Sequence, residues 1–177
     1  MAESSIEIVE ANLDCAEHAR DVVALTAAYA LDPMGNGGPL ADEVLQRLIP
    51  GLKALPTTLI FLALDDVDGV RRGVAIANCF VGFSTFLGRP LINIHDLAVL
   101  PEYRGRGIGK QLLQRVEQKA IELGCGKLTL EVLENNHRAR QLYEQSGFHQ
   151  ASYTDDAGGA LFFAKPLADS HPATSQK

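Results

Sequence analysis

Apolar side chains recur with two different periods in this chain, and the changes between them predict where strands and helices lie. In residues 6–11, Ile6, Ile8 and Ala11 alternate with Glu7, Val9 and Glu10, which is typical of a short strand. Apolar positions then recur at steps of three and four residues up to about Ala30, which predicts an amphipathic helix. A second helix is predicted over residues 40–49, and Pro50 and Gly51 are expected to stop it.

The middle of the chain is rich in residues that favour strands. The runs 57–64 and 73–83 are separated by an acidic turn that ends at Gly69, so they predict a hairpin. Apolar residues are nearly continuous in both runs, which indicates a sheet covered on both faces. A third strand is predicted over residues 91–99, and it leads into a glycine-rich loop.

A β-α-β unit is predicted after this loop. One apolar face marks a helix over residues 108–123, and alternation over residues 128–132 marks the next strand. Because a crossover helix connects strands of the same direction, strand 128–132 should run parallel to strand 91–99. A short helix is predicted over residues 137–145.

The end of the chain is predicted to close the sheet. Residues 148–153 and 161–165 are expected to form a hairpin, and the polar residues 168–177 a disordered tail beyond a single domain of residues 1–167. The element order predicts an α/β (α+β) fold, with a mixed central sheet of about six to seven strands and about four helices on its two faces.

Composition narrows the class of protein. A chain of 177 residues that is 46% hydrophobic is expected to form one globular domain, and a net charge of -6 argues against a nucleic-acid partner. The sequence has neither a hydrophobic signal core nor an apolar run near the ~20 residues of a membrane span, so a cytoplasmic protein is expected. Cys15, Cys79 and Cys125 fit neither a disulfide framework nor a zinc pattern, so no metal is expected.

The loop over residues 104–110, with the sequence RGRGIGK, is the strongest chemical signal. Its three glycines leave backbone N–H groups accessible and its three cations add positive charge, which suits a phosphate ester. The spacing matches neither the dinucleotide fingerprint nor the P-loop. A glycine-rich turn with incidental arginines is the alternative interpretation.

Two motifs together give the chain a family resemblance. Residues 104–109 fit Arg/Gln-x-x-Gly-x-Gly/Ala, and residues 136–148 fit Asn-x-x-Ala-x-x-Leu-Tyr-x-x-x-Gly-Phe. Over roughly residues 6 to 166, the chain resembles the Gcn5-related N-acetyltransferase superfamily. The resemblance implies acetyl-CoA as cosubstrate, direct transfer to a primary amine of a small molecule or protein, and no metal. Because dimers are frequent in that superfamily, it also allows a homodimer.

The resemblance also implies which residues bind the cofactor. The loop backbone would hold the CoA pyrophosphate, and the end of strand 91–99 would pair with the pantetheine arm in a gap between two diverging strands. Asn136 would hydrogen-bond the pantetheine or the phosphates. The implied cofactor-binding residues are Leu97, Ala98, Val99, Arg104, Gly105, Arg106, Gly107, Ile108, Gly109, Lys110, Asn136 and Tyr143.

Three residues are implied in catalysis. Tyr143 matches the general acid that protonates the departing thiolate, although a buried aromatic of an amphipathic helix would look the same. His95 stands where polyamine-acetylating members have a glutamate base, and a hydrogen-bonded core histidine is the alternative. Asp96 should face the other side of the sheet unless a bulge intervenes. The main-chain N–H near Leu97 is the candidate donor to the oxyanion.

The acceptor side is less sharply defined by the sequence. Asp32 and Met34, in the glycine-rich stretch 31–39, and His95 are the candidate substrate-binding residues. The stretch is either a lid over the substrate or a flexible connector. Its acidic residues would favour a cationic amine, or they form a solvated face. A non-catalytic CoA-binding sensor or docking module with the same fold is the alternative function.

Overall fold

The computed structural model describes residues 6–67, 69–151 and 161–165, and the elements in this part of the chain match the predicted order closely. The strands are β1 (Glu7–Glu10), β2 (Thr58–Val67), β3 (Val70–Ser84), β4 (Arg89–Val99) and β5 (Lys127–Leu130). The helices are α1 (Ala16–Ala30), α2 (Asp42–Ala54), α3 (Ile108–Glu122) and α4 (His137–Gln145), with a 3₁₀ turn at Pro101–Tyr103. This mixed arrangement confirms the predicted fold class.

The five strands form one sheet in sequence order. Neighbours from β1 to β4 are antiparallel, whereas Leu91–Ile94 of β4 pairs in parallel with Lys127–Leu130 of β5. The predicted β-α-β unit is therefore confirmed. Because β4 continues to Val99 beyond the last parallel pair, one edge of its C-terminal half is left open.

Helices cover both faces of the sheet. On one face α1 packs through Val22 against Leu62, and on the other α3 packs through Leu112 and Val116 against Phe61. All of these side chains are fully buried. Burying a large apolar side chain contributes about 1.5–3 kcal/mol, so the two layers fix the ends of α1, β4 and α3 relative to one another.

β4 contains a bulge at the position where a catalytic base was predicted. Two residues of β4 stand opposite one of β3, and the extra residue is His95. The His95 ring meets the Phe80 ring edge-on, with centroids 5.7 Å apart, and Asp96 accepts a hydrogen bond from Asn78 Nδ2 at 3.0 Å. Phe80 and Asn78 belong to the same face of β3, so His95 and Asp96 share a face as well.

The predicted end of the second helix is wrong. α2 continues through Pro50 and Gly51 to Ala54. The extra turn places Leu52 in the core, where it is 8% exposed and where its carbonyl accepts a hydrogen bond from Thr58 Oγ1 at 2.8 Å. Packing and capping at the C-terminal end therefore outweigh the unfavourable proline inside the helix.

The predicted number of strands is also too high for the described part of the chain. Residues 148–151 and 161–165 form no regular strand, so the sheet has five strands rather than six to seven. β-forming composition makes a strand only where a partner edge pairs with it. Tyr153 in the expected hairpin and the expected tail 168–177 lie outside the described residues.

Candidate active site

A cleft of about 760 Å³ opens beside the free edge of β4. Its sides are the start of α3, the end of α1 with the loop that follows, and one side of α4. Most of the predicted site residues meet here. Those lining the cleft are Asp32, Met34, Leu97, Ala98, Val99, Arg104, Gly105, Gly107, Ile108, Gly109, Lys110 and Tyr143. His95, Arg106 and Asn136 are not part of this lining.

α3 begins with backbone donors that no side chain covers. Its N-cap, Gly107, has φ 76° and makes no side-chain capping bond, and Gly105 has φ 78°. Side chains with a Cβ rarely adopt such angles, so both positions favour glycine. The N–H of Gln111 bonds to the Gly107 carbonyl at 3.1 Å, whereas the preceding first-turn N–H groups have no helical partner. These groups and the helix dipole make an anion site.

Gly109 has a packing role in addition to the predicted one. A Cβ at this position would lie 3.0 Å from Leu142 Cδ2 and 3.9 Å from Val99 Cγ2. The glycine thus allows α3 to approach α4 closely. At Gly107, by contrast, a Cβ would meet no atom within 4 Å, so the space beside it is open.

The cations of the loop do not all face the cleft. Arg106 donates to the Glu102 carbonyl at 2.8 Å and its guanidinium lies 4.8 Å from the centroid of the Tyr103 ring. Lys110 lines the cleft and makes no ion pair among the described residues. Arg138 of α4 lines it too, and sequence reasoning missed it. Lys110 and Arg138 are therefore the cations placed for a bound phosphate.

Arg104, the first residue of the glycine motif, is engaged within the protein. Its Nη2 donates to Asp32 Oδ2 at 2.6 Å, and its Nε donates to the Val99 carbonyl at 2.9 Å. A carboxylate neighbour offsets its charge, so Arg104 adds less to a phosphate site than the sequence suggested.

Backbone groups near the end of β4 alternate between its two edges. The N–H of Leu100 donates to the Val74 carbonyl of β3 at 3.0 Å. By alternation, Ala98 also directs its backbone groups toward β3, whereas Leu97 and Val99 direct theirs to the open edge. The carbonyl of Val99 already accepts a hydrogen bond. The backbone N–H and carbonyl of Leu97 and the N–H of Val99 therefore remain to face the cleft. Ala98 contributes only its side chain.

Tyr143 forms the inner wall of the cleft. It is 9% exposed, and its ring meets that of Phe148 edge-on with centroids 5.9 Å apart. Burial raises the pKa of Tyr143 to about 12, and the nearby Tyr29 and Asp96 add to this effect. Burial likewise raises the pKa of Tyr29, together with Asp96 and Asp32. Both phenols remain protonated at neutral pH, as proton donors must.

The burial of Tyr143 predicts that its phenol ionises only at high pH and that stability is lost when it does. The folded-state pKa of Tyr143, about 12, lies above its ordinary value of 10.0. The unfolded chain therefore loses this proton first. The contribution of the neutral phenol to the free energy of unfolding is complete below about pH 10 and is lost as the pH rises through about 12. Ultraviolet titrations of the wild type and of Tyr143→Phe measure this, because the difference between the two curves is the ionisation of this phenol. A difference curve centred near pH 10 would contradict the prediction.

The predicted site residues that do not line the cleft make identifiable contacts elsewhere. His95 is exposed and packs against Phe80, so it is not a core histidine. Asn136 is the N-cap of α4, and its Oδ1 accepts a hydrogen bond from the Ala139 N–H at 3.2 Å. Only its side-chain amide nitrogen is left for a ligand. Asp96 acts on the pKa of Tyr143, and it is a carboxylate that the sequence did not assign to the site.

Two further kinds of feature are missing from the described residues. They hold no group of three or more His, Cys, Asp or Glu side chains arranged to bind a metal ion. None of their helices combines the length and the apolar character needed to cross a bilayer.

Comparison with known proteins relates the chain to acetyl-transferring enzymes. Residues 41–148 match the family described as acetyltransferase (GNAT). The chain is 43% identical over 68 residues to the thialysine N-epsilon-acetyltransferase of Bos taurus, covering 38% of this chain and 39% of that protein. It is 44% identical over 57 residues to the uncharacterized N-acetyltransferase YycN of Bacillus subtilis (strain 168), covering 32% and 36%. The chain thus spans well under half the length of these curated relatives.

Solved structures show the same fold over most of their length. A probable acetyltransferase superposes with a TM-score of 0.74 at 21% identity, covering 92% of this chain and 99% of that one. The aminoglycoside N-acetyltransferase AAC(6')-Iy in complex with CoA superposes with a TM-score of 0.67 at 20% identity, covering 92% and 95%. Likeness at this identity establishes the architecture.

Proposed function

This chain belongs to the acetyltransferase (GNAT) family, and we propose that it transfers an acetyl group from acetyl-CoA to a primary amine by direct attack in a ternary complex. One observation carries the proposal. The uncapped start of α3, the open edge of β4 and the phenol of Tyr143 border a single cleft. An extended thioester with a diphosphate at one end would meet all three.

The residues of the cleft fit CoA. The first turn of α3 offers N–H groups to the pyrophosphate, and Lys110 and Arg138 add positive charge nearby. The open-edge groups of Leu97 and Val99 would pair with the pantetheine amides in the manner of an added strand. When bound, acetyl-CoA supplies the activated acetyl group.

Two groups of the chain serve the transfer. Tyr143 would give its proton to the departing sulfur, because its raised pKa keeps the phenol neutral. The Leu97 N–H, on the open edge of β4, would donate to the oxygen that becomes negative, and one such donor contributes roughly 2.7–4 kcal/mol where measured.

A covalent acetyl-cysteine is disfavoured at Cys79 and Cys125 by the state of their thiols. Cys79 is fully buried, and burial with a smaller effect of Asp96 raises the pKa of its thiol to about 12. Burial also raises the pKa of Cys125. A thiol must ionise to attack a thioester, so direct attack by the amine is the simpler route.

His95 is proposed to accept the proton that the amine must lose. The bulge puts it on the same face as Asp96, two residues before Leu97, where β4 begins to line the cleft. We expect His95→Gln to lower kcat/KM at least about tenfold, because the amide cannot accept the proton. Steady-state kinetics of CoA release by His95→Gln and by Asp96→Asn make the check. Wild-type kcat/KM in His95→Gln together with a fall in Asp96→Asn would assign the base to the carboxylate instead.

An assay of CoA release over a panel of amines tests the proposal as a whole. The panel takes thialysine and an aminoglycoside from the names of the similar proteins, and a peptide with an N-terminal alanine from a ribosomal-protein-alanine N-acetyltransferase of the same fold. Lysine is added as the close analogue of thialysine. Turnover of any of these amines supports the proposal. CoA binding without turnover would favour the non-catalytic module, and absence of CoA binding would overturn both.

A further inference from the structure

Arg104 and Asp32 join two segments that lie 72 residues apart in the chain. Arg104 opens the glycine motif, and Asp32 lies in residues 31–41, the segment called here the α1–α2 loop. The two side chains are 30% and 14% exposed, and the donor-acceptor distance is 2.6 Å. A charge-assisted bond in such a partly buried setting is stronger and more directional than an ion pair on the surface.

Asp32 also organises its own loop. Its Oδ1 accepts a hydrogen bond from the Met34 N–H at 2.8 Å, and its carbonyl accepts from Gly35 at 2.8 Å and Gly37 at 3.3 Å. The Met34 bond is the main cause that lowers the pKa of Asp32, and the bond from Arg104 adds to it while burial opposes. Both carboxylate oxygens are therefore already used. This favours a supporting role over the direct amine contact that the sequence suggested.

The loop is pressed against the end of α1 by further contacts. The Tyr29 hydroxyl donates to the Met34 carbonyl at 3.3 Å. A Cβ at Gly35 would lie 2.2 Å from the Tyr29 carbonyl oxygen, so only glycine allows this approach. Asp32, Pro33 and Met34 line the cleft across from the start of α3. The loop is thus one wall of the cleft, and Arg104 ties that wall to the end of β4.

We propose that Asp32 and Arg104 form a positioning pair, which fixes the α1–α2 loop as the acceptor-side wall and couples it to the loop that binds CoA. The roles of the two loops, in holding the acceptor and in binding CoA, rest on the proposed function; the link between the loops does not. Binding of CoA restrains the backbone of Arg104, and the guanidinium passes that restraint to Asp32.

Removing the charge of Asp32 should affect the KM for an amine and the affinity for CoA differently, whereas a general loss of stability would weaken both. The wall loses its tie, so the KM for an amine rises. Arg104 loses its counterion beside the phosphate site, so the affinity for CoA is kept or improved. Arg138 also acts electrostatically on Asp32, and it remains in place in such a variant.

Hydrogen exchange with and without CoA tests the coupling in the full chain. Asp32→Asn keeps an oxygen for the Met34 N–H but loses the charge that holds Arg104. In the wild type, CoA should slow exchange in the α1–α2 loop. In Asp32→Asn we expect exchange there to be about tenfold faster without CoA and insensitive to CoA, while the Kd for CoA from calorimetry stays within about threefold. Exchange in the α1–α2 loop of Arg104→Gln should be faster in the same way, and in the double variant it should be no faster than in either single variant.

Arg71→Gln is the matched control, because it breaks the exposed ion pair of Arg71 with Glu7 between β3 and β1. It should leave exchange in the α1–α2 loop unchanged. Wild-type exchange in the loop of Asp32→Asn would overturn the proposal, as would a parallel loss of Tm, loop protection and CoA affinity. If the wild type binds no CoA but Asp32→Asn still frees the loop, the tie between the loops stands and only the proposed function fails.

Discussion

Replacing Tyr143 with phenylalanine is expected to lower kcat at least about tenfold while the Kd for CoA stays within a few-fold of wild type. The phenol is buried with a pKa of about 12, so at neutral pH it carries the proton that the departing sulfur needs. Phenylalanine keeps the ring that packs on Phe148, so the fold and the cleft are retained. Steady-state kinetics of CoA release, with Tm as the check on folding, measure the effect.

Tyr29→Phe is the control for this prediction. Tyr29 lines the same cleft and is a partly buried phenol, but its hydroxyl donates to the Met34 carbonyl. Losing that bond is expected to change the KM for the amine more than kcat. An unchanged kcat in Tyr143→Phe would remove Tyr143 from the mechanism, and an equal fall of kcat in both variants would point to a general effect of the cavity.

Gly107→Ala is expected to weaken CoA binding by about tenfold or more. Alanine at φ 76° costs roughly 1–2 kcal/mol, and the chain can relieve that strain only by rotating the N-cap of α3. Rotation would turn the first-turn N–H groups away from the bound diphosphate. Calorimetric titration with CoA gives the Kd directly.

Gly88→Ala provides the same backbone strain away from the cleft. Gly88 has φ 60° in the turn between β3 and β4, and a Cβ there would meet no atom within 4 Å. It should lower Tm without changing the Kd for CoA. CoA affinity equal to wild type in Gly107→Ala would contradict the proposed phosphate site.

Local signals explain why much of the fold was predictable. α4 was predicted with its observed bounds, because Asn136 caps it and Ser146-Gly147 ends it. The order of the elements followed from apolar periodicity and glycine positions. α2 was predicted too short, because its end depends on the contact of Leu52 with the sheet, which no local pattern records.

The bulge at His95 has a signature in the apolar pattern of β4. Core positions in this strand fall on even numbers up to Ile94 and on odd numbers from Leu97 onward. A change of phase inside one strand indicates an extra residue. The change of phase in the buried positions places His95 and Asp96 on one face, but the sequence alone shows it less clearly because Leu91 and Ala98 are apolar as well.

The sequence could not predict which groups the arginines of the glycine-rich loop contact. The bond between Arg104 and Asp32 depends on how α1 packs on the sheet, and nothing near either residue predicts it. The same holds for Arg106, whose partners Glu102 and Tyr103 are close in sequence but form a contact only because of the 3₁₀ turn. Counting the cations near a glycine-rich loop in the sequence therefore overestimates the positive charge that is available to a ligand.

The bulge in β4 makes one position of the strand interchangeable. Ile94 and Asp96 already stand opposite successive residues of β3, so the hydrophobic layers on either side would keep their alignment if His95 were removed. The side chain of His95 stands opposite no residue of β3 and is not packed in the core, so its size and polarity are less restricted than those of its neighbours. An engineer who wishes to replace the proposed proton acceptor can thus work at this residue without redesigning the sheet.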